Sequence, residues 1–339
     1  MRVSDFDFPF DASLIADHPV EPRDHARLLR VPRAGESCSH YRVVDLPKLL
    51  NPNDLLVVND TKVIPVRLRG RKRPGGGRID MVLIRKLSED SWEALVKGGG
   101  KPGQIVDLAE GAFATVIESG ESGTVVKLSC SRSIPDLLHE IGQMPLPPYI
   151  KRLPREADRV WYQTVFARAE GSVAAPTAGL HFTPGLLTSL RESGIRMTAV
   201  TLHVGPATFR PVKVEDVCDH PMLPEQIEVS PEAAAEVKRA RAVGGRIVAV
   251  GTTVVRTLET AACADGVVKA IQGESRLFVV PGYRFRVVDA MLTNFHLPRS
   301  TLLMLVSAFV GLERLRAVYE EAIEARYRFY SYGDAMLIL

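Results

Sequence analysis

His181, His203 and His296 each sit beside a break in the chain pattern, and small or hydroxyl-bearing residues surround each break. The first closes the run Gly171-Ser-Val-Ala-Ala-Pro-Thr-Ala-Gly-Leu-His-Phe182, whose small residues let backbone approach a ligand closely just before a helix start. The second lies in Leu202-His-Val-Gly205, at the carboxyl end of an expected strand. That edge is where open α/β sheets bind ligands. The third shares Thr293-Asn-Phe-His-Leu-Pro298 with Asn294, in a short loop before a capped helix. Imidazole exchanges protons near neutral pH, so general acid–base work is the chemistry these positions offer. Gly251-Thr-Thr253 joins a strand to a helix carrying Arg256 and Glu259 one turn apart. The free N–H groups of such a helix start suit a carboxylate or a phosphate. Each feature also has a plain structural reading, a hydrogen-bonded core histidine or an ordinary tight turn, and none is decisive by itself.

The run Arg67-Leu-Arg-Gly-Arg-Lys-Arg73 carries five positive charges in seven residues, with Arg78 close behind. A solvated hairpin and a phosphate-contacting arm explain it equally well. Arg23, Arg27 and Arg30 weigh less, because Arg23 and Arg27 at i, i+4 fit one face of a helix. Over the whole chain, 43 Lys and Arg face 40 Asp and Glu, a net charge of +3. A polyanion must therefore be met by a local patch. The basic residues are 32 Arg against 11 Lys, which favours planar, bidentate contacts.

Several chemistries are missing from the pattern. There is no G-x-G-x-x-G leading from a strand into a helix, no P-loop, no H-E-x-x-H and no G-x-S-x-G elbow. The four cysteines lie far apart without a C-x-x-C pair, and the histidines lack zinc spacing. A reduced, cytoplasmic setting is the expectation. Asp5, Asp7 and Asp11 make the N-terminus unlike a signal peptide, and the longest apolar run, Leu302–Val310, is nine residues, about half a membrane span.

Asp54–Asp60 reads as a buried strand ending in polar groups. From Val63 to Ser131 the apolar segments are short and rich in Val, Ile and Leu: Ile79–Ile84, Trp92–Val96, Ala112–Ile117 and Thr124–Leu128, parted by glycines. That spacing predicts a small all-β barrel. Strand and helix then alternate. Thr183-Pro184 opens a helix that Gly194 ends, Ile195–Val204 is a strand, and Ser230-Pro231 opens a helix stopping at Gly244-Gly245. Arg246–Val250 is the next strand, Ser300 caps a helix through Phe309, and Glu313–Tyr327 is amphipathic. The fold class is α/β: a mixed α/β domain over 1–62 and 146–339, discontinuous around an inserted all-β barrel over 63–145.

Taken together, Asn59-Asp-Thr-Lys-Val-Ile-Pro65, Pro145-Leu-Pro-Pro-Tyr-Ile150, Tyr162-Gln-Thr-Val165, Gly171–Phe182, Gly251–Glu259, Thr293–Phe309 and Tyr327–Met336 resemble the S-adenosylmethionine:tRNA ribosyltransferase-isomerase family of queuosine biosynthesis. The resemblance runs in one order from Phe6 to Leu339. It implies transfer and isomerisation of the ribosyl part of S-adenosylmethionine onto 7-aminomethyl-7-deazaguanine in a tRNA anticodon loop, giving epoxyqueuosine, adenine and methionine. It also implies an α/β domain with an inserted barrel, no metal, and S-adenosylmethionine as a consumed substrate rather than a cofactor. Expected partners are tRNA and S-adenosylmethionine, with no membrane and a monomeric chain. Two positions depart from the family pattern: Ala207 replaces a glycine in Leu202–Phe209, and Leu223 replaces a histidine in His220–Glu225.

On that resemblance, His181, His203 and His296 are the proton-transfer candidates, with Asp60 and Glu259 as catalytic carboxylates. Glu225 and Asp334 are candidates for the substrate ammonium, the sulfonium or the incoming amine. Arg256 is expected to hold the methionine carboxylate bidentately. Thr177, Gly179, Thr252, Thr253 and Asn294 are expected around ribose and adenine. Arg67, Arg69, Arg71, Lys72 and Arg73 are expected on the tRNA backbone, with Lys151, Arg152 and Arg155 as a second patch. The rival readings are a paralogue acting on another base or RNA, a non-catalytic RNA-binding relative, and an S-adenosylmethionine-dependent RNA methyltransferase, against which the absent glycine loop argues.

Overall fold

The computed structural model describes residues 1–33, 36–120, 123–205, 212 and 214–339. Its centre is a nine-stranded sheet in the order Ile271–Ser275, Glu225–Val229, Arg196–Leu202, Leu55–Asn59, Ile247–Val250, Ala290–Asn294, Ala335–Ile338, Arg27–Val31, Ser39–Arg42. Four neighbours, from Arg196–Leu202 to Ala290–Asn294, are mutually parallel, so their carboxyl ends open on one edge. Antiparallel strands extend the sheet on either side.

Leu55–Asn59 is buried at every position because both sheet faces are covered. Leu55 and Val57 meet Val237 and Ala240 of the helix Pro231–Ala242 and Val254 and Leu258 of Thr252–Ala261. Leu56 and Val58, pointing the other way, meet Phe182 and, from the helix Pro184–Glu192, Leu186 and Leu190. The helix starts are where the sequence signals place them. The hydroxyls of Thr183, Ser230 and Ser300 accept hydrogen bonds from the amides of Leu186, Ala233 and Leu303 at 3.1, 3.1 and 3.2 Å. The Arg23/Arg27 helix face is a correction. Arg23–His25 is one 3₁₀ turn, and Arg27 starts a strand because Leu28–Val31 pair with Ala335–Ile338 in the sheet.

The inserted unit is a closed barrel of six antiparallel strands, ordered Gly123–Ser129, Ser91–Lys97, Arg78–Lys86, Arg67–Arg73, Ile105–Asp107 and Phe113–Gly120. Leu68, Met81, Leu83, Ala94, Val106 and Val126 fill its interior, and Leu138 of the helix Ile134–Ile141 packs against them. The chain entering and leaving the barrel is zipped together. Arg67 and Gln143 exchange both backbone N–H···O bonds, at 3.1 and 2.9 Å. A Cβ on the adjacent Gly142 would lie 1.9 Å from the Pro65 carbonyl oxygen. A two-stranded parallel piece, Thr61–Val63 with Ala169–Ser172, lies at the sheet edge where the parallel strands end. Among the described residues no helix is long and apolar enough to cross a membrane.

Candidate active site

A cavity of about 660 Å³, counting the part open to solvent, lies at the carboxyl ends of the parallel strands. Gly251 ends one of these strands with φ +91°, a conformation costly for any side chain, and donates to the Leu292 carbonyl at 2.7 Å. The helix Thr252–Ala261 therefore starts at the cavity wall, and no side chain caps it. Thr252 and Thr253 line the cavity, leaving the first-turn N–H groups of that helix available to an anion.

The opposite wall is polar and aromatic. Thr177 donates its hydroxyl hydrogen to Asn294 Oδ1 at 2.8 Å, and Asn294 Nδ2 donates to the Tyr330 carbonyl at 3.0 Å. His296 also lines the cavity, with Nε2 2.9 Å from the Thr293 hydroxyl and its own amide donating to the Tyr319 hydroxyl at 2.8 Å. Burial pushes its pKa down to about 3, so this imidazole is neutral at physiological pH. Tyr149 and Tyr330 stack with centroids 4.4 Å apart and planes 19° apart, and the Tyr149 and Ser331 hydroxyls lie 2.5 Å from each other. Tyr330 has φ +71° and a buried hydroxyl with no hydrogen-bond partner among the described residues. A bulky residue in the left-handed region and an orphaned hydroxyl both cost free energy, and such costs gather at functional sites. Tyr149, Tyr330 and Ser331 are not among the expected site residues, and Ser300 is expected only as a helix cap. Only the Pro-rich and Tyr-rich strings around them marked the place.

Next to this cavity is a second polar cluster. The buried Asp60 accepts from Thr201 Oγ1 at 2.7 Å and from the Arg168 guanidinium at 2.8 Å. His203 is half-buried, with Nδ1 2.7 Å from the Thr61 hydroxyl. Burial lowers its pKa, opposed by the charges of Asp60 and Glu228. Asn59 ties the cluster to the cavity. Its Oδ1 accepts from the amides of Thr61 and Leu202, both at 3.1 Å, and its Nδ2 donates to Thr253 Oγ1 at 3.2 Å.

Other expected site residues do different work. The His181 ring is wedged between the Ala178 and Gly333 carbonyls at 3.1 and 3.0 Å, away from the cavity lining, and burial pushes its pKa down. It pins two loops. Gly179 makes room for Thr164, whose methyl would lie 3.1 Å from a Cβ there. Glu259 accepts from the amides of Arg286, Val287 and Val288 and from the Tyr283 hydroxyl, so its carboxylate organises that loop instead of facing the cavity. Asp334 likewise accepts from the amides of Arg27 and Arg328, at 2.9 and 2.7 Å. Arg256 is buried, pairs with Glu225 and donates to the Leu277 carbonyl at 3.0 Å, while Glu225 also accepts from the Gly205 amide at 3.0 Å. Nε and Nη1 of Arg256 are thus engaged, and Nη2 is buried with no partner among the described residues.

The basic residues divide as well. Arg67 pairs with Asp80 at 2.5 Å, Arg69 lies 3.6 Å from the same carboxylate, and Arg73 pairs with Asp107. Arg71 stands directly opposite Arg78 across the hairpin, and Lys97 is opposite Asp80. Arg69, Arg71, Arg73, Arg78 and Lys97 are exposed, while Lys72 is half-buried. Arg152 corrects the second patch: it holds the fully buried Asp158 by two bonds of 2.7 Å, leaving Lys151 and Arg155 exposed. Leu223 is 52% exposed at the surface, and Ala207 lies outside the described residues.

The family model described as queuosine biosynthesis protein matches residues 3–338. An S-adenosylmethionine:tRNA ribosyltransferase-isomerase of Moorella thermoacetica is 51% identical over all of both chains. The protein of the same name from Rhodospirillum rubrum is 50% identical over all of this chain and 98% of its own. A crystal structure of S-adenosylmethionine tRNA ribosyltransferase from Thermotoga maritima is 37% identical, with a TM-score of 0.57 over 99% of this chain and 100% of the other.

Proposed function

The chain belongs to the queuosine biosynthesis protein family, and on that footing we propose that it transfers the ribosyl part of S-adenosylmethionine to tRNA and isomerises it there. The acceptor is 7-aminomethyl-7-deazaguanine in the anticodon loop, and the products are epoxyqueuosine in tRNA, adenine and methionine. One observation carries the placement of this chemistry: an uncapped helix start, a stacked tyrosine pair and a neutral buried imidazole face one cavity at the parallel strands' carboxyl ends.

In this reading the methionine carboxylate sits on the helix start at Thr252 and Thr253, where backbone N–H groups and the helix dipole attract an anion. The adenine ring lies along Tyr149 and Tyr330, with Thr177 and Asn294 directing the ribose. The sulfonium acidifies the protons on the adjacent ribose carbon. Loss of one starts ejection of adenine, the neutral amine of the tRNA base attacks, and methionine leaves as the epoxide closes. Water exclusion strengthens the polar contacts that guide these steps.

To enter, the target base leaves its loop stack. The barrel's exposed cations, Arg69, Arg71, Arg78 and Lys97, hold the RNA backbone; Arg71 and Arg78 repel one another until phosphate intervenes.

The test is incubation with S-adenosylmethionine and tRNA bearing the aminomethyl precursor, followed by nucleoside and small-molecule analysis. Epoxyqueuosine with equimolar adenine and methionine is the expected result. S-adenosylhomocysteine in place of adenine would establish a methyltransferase, and unchanged precursor with folded enzyme would remove the assignment.

A further inference from the structure

We propose that Thr61 and Gly171 are positioning residues that fix the His203 ring in one plane with one nitrogen engaged, leaving Nε2 to exchange a proton with the substrate. The inference rests on the functional reading above and narrows it to one of three imidazoles. His181 has both ring nitrogens on backbone carbonyls, and the His296 Nε2 is on Thr293. His296, like His203, has one ring nitrogen engaged among the described residues, but it is buried, whereas His203 is half-buried beside the cavity residue Val204.

Two neighbours hold it. The Thr61 hydroxyl, on a fully buried residue, lies 2.7 Å from Nδ1. In the tautomer that carries its proton on Nδ1, Nδ1 donates to the Thr61 hydroxyl and Nε2 presents its lone pair. Gly171 covers the ring face: a Cβ there would lie 3.0, 3.1 and 3.2 Å from Cε1, Nδ1 and Nε2. Its φ of +145° and the break in pairing register between Glu170 and Ser172 mark it as the extra residue of a bulge. Bulges re-aim backbone beside active sites, and this one turns a bare Cα onto the imidazole. The parallel pair Thr61–Val63 and Ala169–Ser172 thus supplies both contacts, one from each strand.

The charges around the ring are Asp60, held by Arg168, and Glu228 on the neighbouring strand, with the Lys62–Glu170 pair beyond. Both carboxylates nearest the ring favour the imidazolium formed when Nε2 takes a proton. In that step the C–H bond beside the sulfonium breaks, the N–H bond forms, and the electron pair stays on carbon for the elimination. Asn59 joins Thr61 to Thr253, so the histidine and the cavity wall share one hydrogen-bonded frame.

The experiment compares the full-length enzyme with His203→Gln, Thr61→Val, Thr61→Ser and Gly171→Ala. It measures kcat, KM for S-adenosylmethionine, the pH profile of kcat, and thermal melting. His203→Gln is expected to lower kcat by about 100-fold or more at unchanged melting temperature, the usual contribution of a general base. Thr61→Val and Gly171→Ala are expected to lower kcat about tenfold or more with KM little changed and the acidic limb of the profile displaced. Thr61→Ser is expected to restore most of the rate lost in Thr61→Val. Wild-type kcat and pH profile in folded His203→Gln, or equal losses in Thr61→Ser and Thr61→Val, would overturn the proposal. Should Gly171→Ala fail to fold, the Thr61 pair still decides it. Failure of the wild type to release adenine would instead count against the functional reading itself.

Discussion

Tyr330 combines two unfavourable features on one cavity wall, a left-handed backbone and an unpartnered buried hydroxyl. Removing the hydroxyl relieves the second. Tyr330→Phe is expected to be ~1 kcal/mol more stable in urea unfolding, yet to raise KM for S-adenosylmethionine about three- to tenfold. A stabilised variant with unaltered KM would show that the hydroxyl does not reach the substrate. His296 makes a pH prediction. Its unfolded imidazole titrates near 6.5 while the folded one is held at about 3, so between these values only the unfolded chain gains the proton. Stability should fall as pH drops from about 6.5 toward 3, by ~1.4 kcal/mol per pH unit, and His296→Asn should lose that slope. Neither feature was legible in advance. A histidine before a capped helix shows its proton-transfer potential in sequence, but the walls that suppress its charge come from residues over 20 positions away, such as Tyr319.

At the level of elements, the segment 145–162 shows how a surface reading goes wrong. Lys151, Arg152 and Arg155 beside prolines look like a basic patch, and nothing local reveals that Asp158, six residues on, is fully buried beneath Arg152. Tyr332 donates to the same carboxylate at 3.0 Å, so this ion pair anchors both chain segments that bring Tyr149 and Tyr330 to the cavity. Arg152→Met should cost about 3 kcal/mol, because an uncompensated carboxylate is left in the interior. It should leave tRNA affinity unchanged at fixed salt, measured by filter binding of folded protein. A large loss of tRNA affinity would restore Arg152 to the RNA surface. Glu259 teaches the same lesson: one turn from Arg256 it looks like site chemistry, but the loop it organises lies 24–29 residues downstream.

Across the whole molecule, the architecture was far more legible than the site. Short aliphatic runs cut by glycines marked the barrel, and Thr183, Ser230 and Ser300 marked helix starts, because caps and turns are local effects. The sheet edge carrying the cavity followed from strand–helix alternation. Which cations remain available did not, because Asp80 and Asp107 reach Arg67 and Arg73 across barrel strands. Reversing Arg69, Arg71 and Arg78 to Glu should weaken tRNA binding and flatten its salt dependence by roughly 0.7 to 0.9 in log–log slope per lost phosphate contact. S-adenosylmethionine affinity should stay the same in that variant, and an unchanged salt slope would remove the barrel face from the RNA interface.

The paired tether of Arg67 and Gln143 makes the barrel a transplantable cassette. Its two ends leave the parent scaffold one ladder rung apart, ~5.5 Å by the geometry of such pairs, a gap that a tight turn closes. Descendants of this architecture can therefore exchange or shed the barrel without rethreading the scaffold. Gly142 guards the hinge of that graft: any bulk there would prise the strands apart and re-aim everything mounted beyond them.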